Sequence, residues 1–299
     1  MTLMKWLLDS DPAIRWQVMR DLADEPNAAV AAERSRVARE GWGAQLLALQ
    51  TPDGHWGGSE DRGWMATIYT LALLRELGPD PASDPIRKVI DLVRKRITWH
   101  QLDGQPFFDG ETEPCINGAI LASGAYFGVA SQRLVERLLS EQLDDGGWNC
   151  DAPKSKRTSF HTTICVLEGL LQYEKLQGAL PEVTRARLRG QDYLLERRMH
   201  RSLKSGQVID SDWTRFSFPT TWHYDVLRGL DYLRSAGVKP DERVADAVDL
   251  VERTRDENGR WPLQGFHFER VSFDMEPGVG QASRWNTLRA LRVLDWYRD

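Results

Sequence analysis

Three cysteines in 299 residues are too few for a disulfide framework, so Cys115, Cys150 and Cys165 must each be a small core residue or a reactive or metal-ligating thiol. Cys115 opens one apolar helical stretch and His161 opens the next, at the same helical position of adjacent repeats. Helix axes of packed neighbours lie about 8 to 10 Å apart. Two side chains projecting to the same side can bridge that span through a metal ion. Each residue also has a structural reading, Cys115 as an apolar filler and His161 as a hydrogen-bonded residue at a helix start. Cys150 and Asp151 lie in the loop leading to His161, as a further ligand, a support for the imidazole or simply a packed turn. Cys165 falls one turn after His161 on an apolar helix and reads as core. His223 stands in register with Asn117 and Thr163, where an imidazole could donate or accept a proton. Arg284 is in register with His223 and could hold an anionic group.

The elements that must position these residues repeat along the chain. Three turns share a pattern: Gln50-Thr-Pro-Asp-Gly-His-Trp56, Gln142-Leu-Asp-Asp-Gly-Gly-Trp148 and Asp256-Glu-Asn-Gly-Arg-Trp261. Degenerate copies occur at Gln101-Leu-Asp-Gly104 and Lys204-Ser-Gly206, so the unit recurs about once per fifty residues. A Gly that takes positive φ stops a helix, an Asp or Asn bonds its own backbone, and a Trp folds back to seal the corner. Apolar residues at three- and four-residue spacing predict helices over 64–77, 115–127, 160–173, 222–233 and 285–296, with Leu71, Leu121, Leu167, Leu227 and Leu288 in equivalent places. Asp11-Pro-Ala-Ile begins a sixth, with an Asp cap and a Pro in its first turn. More charged helices alternate with these over 28–49, 84–98, 131–142, 181–201 and 241–255, with residues 3–9 as a shorter piece. The last helix is as apolar as the interior ones, which predicts that it packs against the first of them rather than capping an open stack.

The Gln-x-x-Asp-Gly-x-Trp turns between paired helices resemble the QW repeats of the terpenoid cyclases and the protein prenyltransferase β subunits. The resemblance spans nearly the whole chain. It implies an all-α fold, an (α/α)6 toroid of about six inner and six outer helices in one domain over residues 1–299, with a cavity open where the inner-helix N-termini gather. Two stretches are also similar to the zinc-binding positions of the prenyltransferase β subunits: Glu113-Pro-Cys115 and Ser159-Phe-His161-Thr162. The resemblance implies a zinc held by Cys115, His161 and Glu113, a three-ligand set of the catalytic type that leaves a position open for a thiol or a water. Aromatic residues at the helix starts, Trp64, Tyr69, Phe160, Trp222, Tyr224 and Trp285, would line the cavity for a hydrophobic, isoprenoid-like molecule, with Asn117, Thr163 and Arg284 as polar contacts and His223 as a proton carrier.

The chain departs from that family pattern in three places. The acid before Cys115 is Glu rather than Asp, and Pro114 intervenes. Residues 105–113 carry no cation of the kind that holds an isoprenoid diphosphate. No Asp-x-Asp-Asp stretch is present, and Asp210-Ser-Asp212 comes nearest to it. The departures leave three readings: a zinc-assisted enzyme acting on a hydrophobic small molecule, a non-catalytic binding module on the same toroid, and a class II terpenoid cyclase using Asp212 or Glu113 as its acid. Composition bounds the rest. A net charge of −5 argues against a nucleic-acid partner, and 41% hydrophobic residues suffice for a large core. The apolar run near Met1 is too short for a signal sequence or a membrane span, which predicts a cytoplasmic protein.

Overall fold

A computed structural model describes residues 2–57, 63–267 and 273–298. In chain order its helices are α1 (Leu3–Leu8), α2 (Pro12–Asp21), α3 (Asn27–Arg36), α4 (Gly41–Ala48), α5 (Gly63–Leu77), α6 (Asp84–Arg96), α7 (Pro114–Tyr126), α8 (Gln132–Ser140), α9 (Phe160–Gln177), α10 (Pro181–Glu196), α11 (Val226–Ser235), α12 (Ala245–Arg253) and α13 (Arg284–Arg298). Two short antiparallel pairs, β1 (Thr98–Trp99) with β2 (Gln105–Pro106) and β3 (Trp261–Pro262) with β4 (Ala282–Ser283), and three 3-10 turns, at His100–Leu102, Phe107–Asp109 and Ser211–Thr214, complete the regular structure among the described residues. The protein is mostly helical, and among the described residues no helix is long and apolar enough to cross a membrane.

The chain divides into two compact units. One runs from Ser35 to Gln191. The other gathers the two ends of the chain, up to Arg34 and from Asp192 onward.

The three full copies of the repeated turn are built the same way. In each, the indole Nε1 donates to a carbonyl near the end of the preceding helix: Trp56 to Leu46 at 2.7 Å, Trp148 to Leu138 at 2.7 Å and Trp261 to Val251 at 2.7 Å. The backbone N–H of the same Trp donates to a threonine hydroxyl in the following helix, on Thr67, Thr163 and Thr287 respectively. The leading glutamine has a separate task. The Nε2 of Gln142 donates to the carbonyls of Gly146 and Ala186, at 2.7 and 2.8 Å, and that of Gln50 to those of Gly54 and Val89, at 3.0 and 3.1 Å. One side chain thereby closes its own turn and ties it to the next amphipathic helix. In the third copy Arg255 takes the glutamine's place, its guanidinium 5.9 Å from the Trp261 ring centre.

In the unit of residues 35–191, α7 and α9 lie against each other at backbone contact. A Cβ on Gly118 would fall 2.5 Å from the Cys165 carbonyl carbon, and one on Gly169 would fall 2.6 Å from the Gly118 oxygen. No side chain fits between them, so the starts of these two helices are held in fixed relation. In the terminal unit α13 packs on α2, as its apolar character predicts. Arg292 reaches across to Gln17 at 2.8 Å and pairs with Asp21.

The helices expected over 181–201 and 241–255 are shorter, Pro181–Glu196 and Ala245–Arg253, the first ending ahead of Arg198 and Met199 at positive φ, and three further elements differ. The helix predicted over 28–49 is two, α3 and α4, separated by a turn over residues 37–40 that enters α4 through Gly41 at φ +63. The helix predicted from Trp222 begins at Val226, since Asp225 caps it by accepting from the Arg228 N–H at 2.7 Å. Thr221 at φ +48 belongs to the turn before it. The degenerate copy at Gln101-Leu-Asp-Gly104 is the turn of the β1–β2 pair, with Trp99 Nε1 closing onto the Phe107 carbonyl at 3.0 Å.

Candidate metal centre

Glu113, Cys115 and Cys150 bring one ligand atom each to within 4.8 Å of one another, all in the unit of residues 35–191. Local structure explains the first two. Glu113 is the N-cap residue of α7, but its carboxylate makes no capping bond and lies instead 3.7 Å from the Cys115 Sγ. Pro114 occupies the first helical position, where its missing N–H costs nothing and its fixed φ suits the helix. Pro114 thus starts α7 between the two donors.

The approach to α7 is rigid. Buried Glu111 accepts from the Glu113 N–H at 2.5 Å and from the Thr112 hydroxyl at 2.8 Å. The Asn117 side chain clamps Glu111 from both sides, accepting from its N–H at 2.7 Å and donating to its carbonyl at 3.1 Å.

Cys150 arrives from the loop between α8 and α9. The Trp148 turn anchors one end of that loop, and the Ser159 N–H donates to the Trp148 carbonyl at 2.9 Å to anchor the other. Cys150 itself leans on α9, with Sγ 3.4 Å from the Thr162 hydroxyl, which also accepts from its backbone N–H at 3.4 Å. The hydrogen bond between the two cysteines, with burial adding to it, pushes the Cys115 thiol far above its ordinary range. The same bond draws Cys150 down, and the Thr162 hydroxyl assists. Cys150 is thus the more acidic thiol of the two.

His161, the expected third ligand, is the second residue of α9 and half-buried; the donors that gather are Glu113, Cys115 and Cys150. Of the expected polar contacts in this unit, Asn117 and Thr163 are fully buried. Asn117 serves the Glu111 clamp, and Thr163 both accepts from the Trp148 N–H at 3.0 Å and donates to its carbonyl at 3.3 Å. Phe160 is buried at the start of α9, while Trp64 and Tyr69 are half-buried on α5, with Trp64 5.6 Å from Trp99 between ring centres.

The other expected residues lie in the terminal unit. His223 is stacked between Trp222 and His267, at 3.9 and 3.6 Å between ring centres, and its Nδ1 is 3.0 Å from the Thr221 hydroxyl. Tyr224 is buried, donates to the Met199 carbonyl at 2.6 Å, and is held well above its ordinary pKa by burial. Arg284 donates to the carbonyls of Trp6 and Asp9, at 3.2 and 3.0 Å. Trp285 is buried and stacked on Phe218 at 4.5 Å. Asp212 sits in a single 3-10 turn with its side chain 80% exposed.

Two residues of this unit carry signals that sequence reasoning missed. His267 completes the aromatic stack. Glu276 accepts from the Ser283 hydroxyl at 2.6 Å and the Trp285 N–H at 3.3 Å, and burial raises its carboxyl to about 7.

No protein-family model matches the chain, and no curated protein matches it by sequence. Among solved structures it is similar to a protein from Actinoplanes, at 17% identity over 97% of this chain and 91% of that one, with a TM-score of 0.45. It is also similar, across nearly its full length, to the type II terpene cyclase MstE from Scytonema. The apo form gives 14% identity, 95% of this chain, 87% of that one and a TM-score of 0.43. A variant of MstE holding its substrate, geranylgeranyl dihydroxybenzoate, gives 13% identity, 95% and 86% coverage and a TM-score of 0.43.

Proposed function

We propose that this protein is a metal-assisted enzyme on an α/α toroid, with zinc held by Glu113, Cys115 and Cys150 and a hydrophobic, isoprenoid-like small molecule as its substrate. One observation carries the reading: a thiol and a carboxylate at the start of α7 and a second thiol from the loop before α9 converge within 4.8 Å. The donor set fits the metal. Two soft sulfurs select zinc over the hard divalent cations. Zn–S bonds of about 2.3 Å at tetrahedral angles place neighbouring donors roughly 3.5 to 4 Å apart, and the Glu113-to-Cys115 separation is already 3.7 Å. Zinc bound there would supply an acidified thiol or water as nucleophile. The chain's own contribution is positioning. Pro114 and the Glu111–Asn117 clamp hold the Glu113–Cys115 edge, and Thr162 steadies the Cys150 sulfur. The Gln-x-x-Asp-Gly-x-Trp turns, which resemble QW repeats, support the toroid and the apolar substrate class.

Cobalt titration of the metal-free chain tests the centre. Two thiolate ligands predict sulfur-to-cobalt charge-transfer absorption at one equivalent, weakened in Cys115→Ser and in Cys150→Ser. Cobalt bands without charge-transfer intensity would exclude the thiolate site.

A non-catalytic binding module is the competing reading. In its favour, Asn117, Thr163, Tyr224 and Arg284 all make hydrogen bonds to the chain's own backbone. A cyclase protonating through Asp212 has no such support, because a carboxyl kept neutral for proton donation has to be buried, and this one is 80% exposed.

A further inference from the structure

The cysteines of the candidate centre are held in different surroundings. Cys115 is buried at the first turn of α7, behind Pro114, and cannot shift without moving the helix. Cys150 is half-buried in a turn, and residues 151–154 after it are exposed. Their sulfurs are already within 4.8 Å. A disulfide needs an S–S separation of about 2.05 Å, so closure requires an approach of under about 3 Å, which rotation of the Cys150 side chain with a small loop adjustment supplies. Cys165 is not in that group; it is buried in α9, where Gly118 presses on its backbone.

We infer that Cys115 and Cys150 form a reversible disulfide, so that oxidation by a peroxide switches the metal centre off. The inference rests on the zinc reading for its consequence but not for the bond itself. The Cys150 sulfur attacks one peroxide oxygen, breaking the O–O bond and giving a sulfenic acid and water. The Cys115 sulfur then displaces the sulfenic oxygen as a second water, forming the S–S bond. The two sulfurs together lose two electrons to one hydrogen peroxide, which takes up two protons to leave as two waters. Zinc would lose both thiolate donors and be left with one carboxylate, too few ligands to hold it. A dithiol reductant reverses the step by thiol–disulfide exchange.

The test treats the full zinc-loaded chain with hydrogen peroxide and follows intact mass, tryptic peptides and zinc release to a chromophoric chelator. The expected result is a mass loss of two hydrogens, one cross-linked peptide joining Cys115 to Cys150, stoichiometric zinc release, and recovery of binding after dithiothreitol and fresh zinc. Cys165→Ser should behave as the wild type, and Cys150→Ser should give no cross-link while keeping its helical circular dichroism. Stepwise addition of oxygen without a cross-link, or a cross-link to Cys165, overturns the switch. A chain that binds no zinc yet still forms the Cys115–Cys150 bond upholds the redox pair and refutes the zinc reading. Zinc binding with no bond does the reverse.

Discussion

Glu276→Gln should stabilise the protein at alkaline pH and do almost nothing in acid. The carboxyl stands at the start of α13, with one oxygen held by the Ser283 hydroxyl and the Trp285 N–H, and burial raises it from the ordinary 4.5 to about 7. A carboxyl whose folded pKa lies above its unfolded value binds more protons in the folded state across that window. Its contribution is therefore intact below about 4.5 and is lost as pH climbs through about 7. The gap of about 2.5 pH units, at about 1.36 kcal/mol each, sets a ceiling of about 3 kcal/mol on the penalty of carrying the charge. Glutamine keeps an acceptor oxygen for both bonds and never ionises. Urea unfolding at pH 4 and pH 8.5 should show the variant nearly level with the wild type at the lower pH and about 1 to 3 kcal/mol more stable at the higher. Equal stability at both values, or a loss at pH 8.5, would refute the burial argument.

Other consequences follow from single contacts. Gly118→Ala drives a methyl into the Cys165 backbone and should cost about 1 to 3 kcal/mol or more, read as a lower melting temperature, whereas Ala122→Gly nearby on α7 should cost only about 1 kcal/mol. Thr163→Val removes the acceptor for the buried Trp148 N–H and should lose about 1 to 3 kcal/mol in urea unfolding, most of it recovered by Thr163→Ser. Asp212→Asn should leave the unfolding midpoint within about 0.5 kcal/mol of the wild type, since the side chain is 80% exposed.

Much of the helical plan was legible because it is written in period and punctuation. Gly54, Gly146 and Gly259 all take positive φ at the repeated turns, and each Trp two residues later reaches a carbonyl near the end of the preceding helix. The same regularity hid the purpose of Asn117 and Thr163. Their register placed them correctly along the helix, but only the fold shows their hydrogen bonds to Glu111 and Trp148. The start of α11 was misjudged because apolar spacing continues through Trp222 and Tyr224, while Asp225 is the residue that caps the helix. At the candidate metal centre the edge from Glu113 to Cys115 was readable, two residues apart at a helix start. Cys150 figured only as a supplementary ligand, since the path of the loop between Trp148 and Ser159 depends on hydrogen bonds that no spacing encodes. Glu276 gave no sign at all, because nothing in its sequence surroundings marks the carboxyl as one that folds onto Ser283 and the start of α13.

Elemental analysis of the chain purified without an affinity metal tests the central claim most directly, with Cys115→Ala, Cys150→Ala and His161→Ala alongside the wild type. The geometry predicts about one zinc per chain, lost in both cysteine variants and retained in His161→Ala. A wild type without metal, with all variants stably folded, would contradict the metal centre, and zinc lost only in Cys115→Ala and His161→Ala would contradict the donor set assigned to it.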